Sequence, residues 1–318
     1  MNPSSHRLQA FVQVPMKKEL LKAGLIVLLF FVTLATQAQN RALTVAYQLT
    51  HSENVDPTLS PGGKEFVYIS VIAGKEQLFR MGLDGSNSKQ LTRDDADHED
   101  PAWSPDGKRI AFVLIKDGLE QIHLMNVDGT DIEPLTPKEV KTIHPSWAPD
   151  SQSVAYCTDD DLKPPKKNSS EIYSIELQSR RITKLISGGV NTYPVWSPDG
   201  KRIVFRRMLG ENNSEVFIAN ADGSEVRNLT NDPAFDGWPA WSPDGTKIAF
   251  ASNRNRNYEI YIMNPDGSAV QKVANTEGRA TAPKWSRDGK TIYFPICKKV
   301  DFSFDCEIYA AKLDAFRD

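Results

Sequence analysis

The chain has little cysteine, no excess of basic charge and no apolar run long enough for a comfortable membrane span. Three cysteines among 318 residues are too few for a disulfide scaffold, and no CxxC pair points to zinc. Lys+Arg 38 against Asp+Glu 41 leaves a formal net charge of −3 with no basic block, which argues against a nucleic-acid partner. The apolar run from Ala23 to Ala35 is thirteen residues, short of the roughly 20 that a spanning helix needs. A GxSxG elbow, a Walker loop, a GxGxxG turn and an HExxH pair are all missing, which removes the commonest hydrolase, nucleotide and zinc-protease signatures. What remains, 40% hydrophobic and 25% charged, is the composition of an ordinary folded protein.

The short apolar run fits a leader. It follows the basic segment Met16-Lys17-Lys18, and the small residues Thr36 and Ala38 stand three and one before an expected cut. This is the three-part form of a signal peptide over residues 1–38, cleaved after Ala38, with Met16 as the expected true start. Loss of Arg7, Lys17, Lys18, Lys22 and Glu19 takes the net charge to −6. The mature protein is expected to be periplasmic or secreted, with no membrane span.

One unit then recurs six times. Asp100-Pro-Ala-Trp-Ser-Pro-Asp-Gly107 returns around Trp147, Trp196, Trp241 and Trp285, and in weaker form around Leu59, at spacings of 44, 44, 49, 45 and 44 residues. That period belongs to four-stranded propeller blades. In each unit Pro-x-Trp-Ser reads as a short strand and Pro-Asp-Gly as its turn. An alternating strand such as Arg109 to Val113 follows, then a third strand such as Gln121 to Asn126, a second Asp-Gly turn and a last Leu-Thr strand. The expected fold is all-β: residues 39–318 form a single six-bladed β-propeller of four-stranded antiparallel blades. The sixth unit ends without its last strand, while Gln48-Leu49-Thr50 matches Gln90-Leu91-Thr92. The N-terminal strand at residues 42–50 is therefore expected to complete the last blade and remove an open sheet edge.

These units resemble the WD40-like propeller repeats of the TolB family, over about residues 42–318. The resemblance implies a periplasmic protein of the Tol–Pal envelope system and an envelope protein or peptide as partner, such as a Pal-like lipoprotein. The family's preceding α/β domain is not expected here, because only about a dozen residues separate the expected cut after Ala38 from the first unit. Related repeats also occur in peptidase propellers and in some polysaccharide lyases.

The repeated Trp, Pro, Asp and Gly read as turn and packing residues, so function is sought where the blades differ. The residues before the inner-strand prolines, Asp56, Asp100, His144, Tyr193, Trp238 and Ala282, are expected at the channel mouth, acidic on one side and aromatic on the other. His98 lies nearby in sequence, and Arg206, Arg207, Arg254 and Arg256 sit on variable loops as candidate contacts for an acidic partner. His98 and His144 lack tight ligand spacing, so neither a metal nor a cofactor is expected. Asp159-Asp160-Asp161 lacks the glycine and glutamate of a calcium loop and reads as surface. Cys297 and Cys306 flank a hairpin loop and are the disulfide candidate. Two functions fit: a monomeric, non-enzymatic binding module of the envelope, or a propeller enzyme such as a polysaccharide lyase or hydrolase. The enzyme would use His144 as base and Arg207 or Arg254 as neutralising cation, but no catalytic residue is assigned.

Overall fold

Each unit folds as the spacing of its turns requires. In the second blade, Asp97–Trp103 lies innermost, followed outward by Arg109–Lys116, Leu119–Asn126 and Glu133–Pro134, each paired antiparallel with the next. The computed structural model describes residues 47–48, 54–158, 169–300 and 303–313, all within the unit Leu43–Asp318. Six such sheets in a ring make a six-bladed β-propeller. The expected leader at 1–38, the acidic loop at 159–161 and the flanks of the expected closing strand lie outside the described residues. Among the described residues no helix is long and apolar enough to cross a membrane.

The first turn is a hydrogen-bonded box. Ser104 donates to Asp106 at 2.6 Å and accepts from the Arg109 amide at 2.9 Å. Ser197 with Asp199, and Ser242 with Asp244, repeat it. Two of the repeat tryptophans join neighbouring blades: Trp147 Nε1 donates to the Ala102 carbonyl at 3.0 Å, and Trp285 Nε1 to Ala240 at 3.1 Å. The second Asp-Gly turn docks on the preceding blade. Gly129 has φ 92°, and a Cβ there would lie 2.7 Å from the Leu91 carbonyl oxygen, so both conformation and space require glycine.

The second strands depart from simple alternation. Ile110 through Val113 are all fully buried, because blades stack face to face and cover both sides of each sheet. The core therefore lies between blades, as where Phe205 and Phe217 join Ile143, Tyr156 and Ile175. Phe66 of the first blade meets Tyr293 of the last edge to face at 5.1 Å. The ring closes where the described part of the N-terminal strand, Tyr47–Gln48, pairs with Ala310 and Tyr309. Thr291–Val300 and Ser303–Lys312 form the hairpin of that last blade, and Cys297 and Cys306 face each other across it, joined by a disulfide.

Candidate functional site

The innermost strands do not pair continuously. The register shifts between Val55 and Thr58, Glu99 and Ala102, Ile143 and Ser146, Thr192 and Val195, and Gly237 and Ala240. In the last blade the inner strand splits into Arg279–Ala280 and Lys284–Trp285. At every break the residue before proline is left-handed: Asp56, Asp100, His144, Tyr193, Trp238 and Ala282 have φ of 48°, 49°, 54°, 53°, 51° and 43°. Proline bars the preceding residue from the right-handed helical region, and a bulge re-aims the side chain it carries. A left-handed non-glycine costs roughly 1–2 kcal/mol. Because all six blades carry it, this backbone is scaffold, and only the side chains differ. Those six residues line one cavity of about 240 Å³ in the channel.

The cavity has two unlike walls. On one stand Asp56 and Asp100, with Lys284 near both. Burial pushes the Lys284 ammonium down, against the two carboxylates, which raise it. Burial raises the Asp56 carboxyl, and Lys284 opposes the shift. Behind this wall Glu99 hydrogen-bonds Glu76, and burial followed by Asp100 and Glu76 pushes Glu99 up to about 9.

The other wall is aromatic. His144 stacks on Tyr193 with centroids 3.6 Å apart. Its Nδ1 lies 3.2 Å from the Cys157 thiol, its Nε2 3.6 Å from Asp100, and its amide donates to Asp100 at 3.3 Å. Burial, then Arg206 and Lys284, holds the imidazole well below its ordinary pKa, so His144 is neutral at pH 7. Trp238 continues the wall toward Phe235 and Tyr258. Buried Arg206 lies over Tyr193 at 4.8 Å and Phe235 at 5.3 Å, and its Nε donates to Thr192 at 2.8 Å. Arg279 lies over Tyr258 at 4.5 Å.

The structure thus brings Asp56, Asp100, His144, Tyr193 and Trp238 together, and places the other candidates elsewhere. His98 is fully buried against Phe112 and lies 3.4 Å from both the Glu76 carbonyl and Asp94. Arg207 donates to Asn191 at 2.7 Å and covers Phe217. Arg254 pairs with buried Asp236 at 2.9 Å and covers Tyr261. Arg256 is exposed in a turn at φ 74°. None of these four lines the cavity; the three arginines follow the inner strands in sequence, but their own blades engage Arg207 and Arg254. Among the described residues no three His, Cys, Asp or Glu are grouped to hold a metal ion.

Lys284 was not singled out by sequence reasoning, although a signal existed. The equivalent positions carry Thr58, Ala102, Ser146, Val195 and Ala240, so a lysine there breaks the repeat. Of the arginines the sequence singles out, Arg206 is the one that lies against the aromatic wall; Phe235, Tyr258 and Arg279 come from different strands and loops, and no local pattern joins them.

A family model described as the TolB β-propeller domain matches residues 145–313. No curated protein matches the chain. Among solved structures, TolB from Acinetobacter baumannii is 21% identical with a TM-score of 0.64, covering 79% of this chain and 64% of its own. The chain thus spans less than two thirds of that protein. A protein of Agrobacterium tumefaciens assigned to TolB is 24% identical with a TM-score of 0.64, covering 84% and 96%. An oligogalacturonate lyase from Vibrio parahaemolyticus is 13% identical with a TM-score of 0.57, covering 86% and 94%. At these identities the likeness to solved structures is one of fold.

Proposed function

The chain belongs to the TolB β-propeller domain family, and from that membership we propose that it is an exported, non-enzymatic binding module that docks an envelope protein or peptide at its channel mouth. The observation that carries this reading is the two-walled cavity. Six left-handed residues hold acidic side chains opposite aromatic ones on a rigid ring, and clustered aromatic anchors tend to dominate binding energy at protein interfaces. Export and a Pal-like lipoprotein partner are parts of the same proposal, resting on the leader-like sequence and the family.

The enzyme reading has less support. His144 is stacked and enclosed, while Arg207 and Arg254, its suggested neutralising partners, are engaged away from the cavity. The test is retention of envelope proteins on the immobilised protein, run beside an assay on uronate polysaccharides. A specific envelope protein retained by the wild type and lost with Trp238→Ala is expected. Turnover of a uronate polysaccharide that His144→Gln abolishes would replace the binding module with the enzyme.

A further inference from the structure

We infer that the rim of the channel mouth binds the carboxylate of an aspartate or glutamate side chain of the partner, and that the guanidinium of Arg279 receives it. The inference rests on the binding-module reading above and names the chemistry of one contact in it. One position of the repeat, three residues before each left-handed residue, carries Glu53, Asp97, Lys141, Val190, Phe235 and Arg279. It varies from blade to blade, where a scaffold position would repeat. Asp97 pairs with Lys75 of the preceding blade at 3.4 Å, and Lys141 with Glu120 of the preceding blade at 2.9 Å. Glu53 lies outside the described residues. Arg279 is exposed, and among the described residues no carboxylate pairs with it.

The Arg279 guanidinium is nonetheless held in place. It lies over the ring of Tyr258 at 4.5 Å and that of Trp238 at 5.7 Å. Phe235 braces both rings, edge to face with Tyr258 at 5.5 Å and tilted against Trp238 at 5.4 Å. The two loops are tied together as well: the Asn257 side chain donates to the Gly278 carbonyl at 2.6 Å, and the Ala280 amide to the Tyr258 carbonyl at 3.0 Å. Stacking uses the face of a guanidinium and leaves its N–H edge, a fork that matches a carboxylate. A side chain already held in this way loses little freedom on binding. The surroundings favour an anion. Exposed Arg256, Lys298 and Lys299 stand on the neighbouring turn and strand, against exposed Glu277 and Asp305, and Asp305 faces Lys298 across the hairpin.

An acidic side chain fits better than a uronate ring. A sugar acid would need an open aromatic face beside the arginine. Tyr258 carries Arg279 itself, and Trp238 is approached by Arg206 at 5.9 Å as well as by Arg279. A side-chain carboxylate needs only the N–H edge and leaves those faces as they are. Trp238 lines the cavity while Arg279 does not. The carboxylate is therefore met on the rim, where a segment crossing the mouth presents its side chains.

The test follows the indole N–H signal of Trp238 by NMR while the full chain is titrated with the blocked peptide acetyl-Gly-Glu-Gly-amide. The controls are acetyl-Gly-Gln-Gly-amide, acetyl-Gly-Gln-Gly with a free C-terminal carboxylate, and digalacturonate. Capture of envelope proteins is measured with and without excess glutamate peptide. The glutamate peptide is expected to bind more tightly than every control and to displace the captured protein. Arg279→Gln should weaken its binding about tenfold, and Arg256→Gln should weaken it less. A glutamine peptide that binds as tightly, or equal losses in the two variants, or no loss in Arg279→Gln, would overturn the inference. Tighter binding of digalacturonate or of the free terminus would overturn the acidic side chain as the occupant. A captured protein that the glutamate peptide does not displace would overturn the inference while leaving the binding module intact. Glutamate binding that needs Arg279, with no envelope protein retained, would uphold the carboxylate site and contradict the binding module.

Discussion

The imidazole of His144 lies face to face with the ring of Tyr193, their centroids 3.6 Å apart and their planes 25° from parallel. The two residues come from adjacent blades, and each reaches the channel through the same left-handed bulge. The stack keeps solvent from one face of an imidazole that Cys157 and Asp100 already flank. His144 should therefore show a flat NMR chemical shift from pH 8 to pH 6. Tyr193→Ala should bring its midpoint up toward 6.5, the ordinary histidine value. The unfolded chain takes up a proton near that pH while the folded chain refuses it. Stability contributed by His144 is thus present above about pH 6.5 and declines as pH falls below it. A wild-type midpoint at 6.5 would contradict this burial.

Glu99 titrates in the opposite sense. Its folded pKa is raised to about 9 from an ordinary 4.5. Its contribution to stability is complete below about pH 4.5 and is lost as pH rises toward 9. Glu99→Gln keeps a neutral side chain at every pH. The melting temperature of this variant should gain on that of the wild type steadily from pH 5 to pH 8. Parallel pH profiles would show that Glu99 and Glu76 do not share a buried proton.

Gly129→Ala tests the docking of one blade on the next. The new Cβ would have to sit 2.7 Å from the Leu91 oxygen on a backbone at φ 92°. Strain and overpacking together should cost about 2 kcal/mol or more, read as a lower urea midpoint at unchanged slope. Glycine 118 has the same kind of conformation, φ 76°, in open space. Gly118→Ala should therefore cost less, by the part due to overpacking.

Ring closure gives a fourth expectation. Tyr47–Gln48 covers the outer edge of Ser303–Lys312. Deleting residues 39–50 should bare that edge, and bare edges recruit other chains. The truncated protein should elute as aggregate in gel filtration. An unchanged elution volume and melting temperature would show that closure does not depend on this strand.

The fold was legible because a propeller writes itself six times. The Pro-x-Trp-Ser-Pro-Asp-Gly unit encodes a turn box that is local enough to recur as sequence. The six residues before proline were legible for the same reason, since one position in the unit always faces the channel. Lys284 escaped notice because it occupies a position that is small or apolar in the other units. Arg207 and Arg254 stood out by charge, yet neither lines the channel, because Asn191 and Asp236 bond them within their own blades. Partners that meet across strands, such as Glu76 with Glu99 or Arg206 with Phe235, leave no periodic trace.

The most direct measurement places a photo-crosslinking amino acid at position 238, on the channel wall, and separately at exposed position 226 on the outer part of the same ring. Irradiation in the native envelope should capture one protein from position 238 and not from 226. Capture of the same protein equally from both positions, or from 226 alone, would contradict a docking site at the channel mouth.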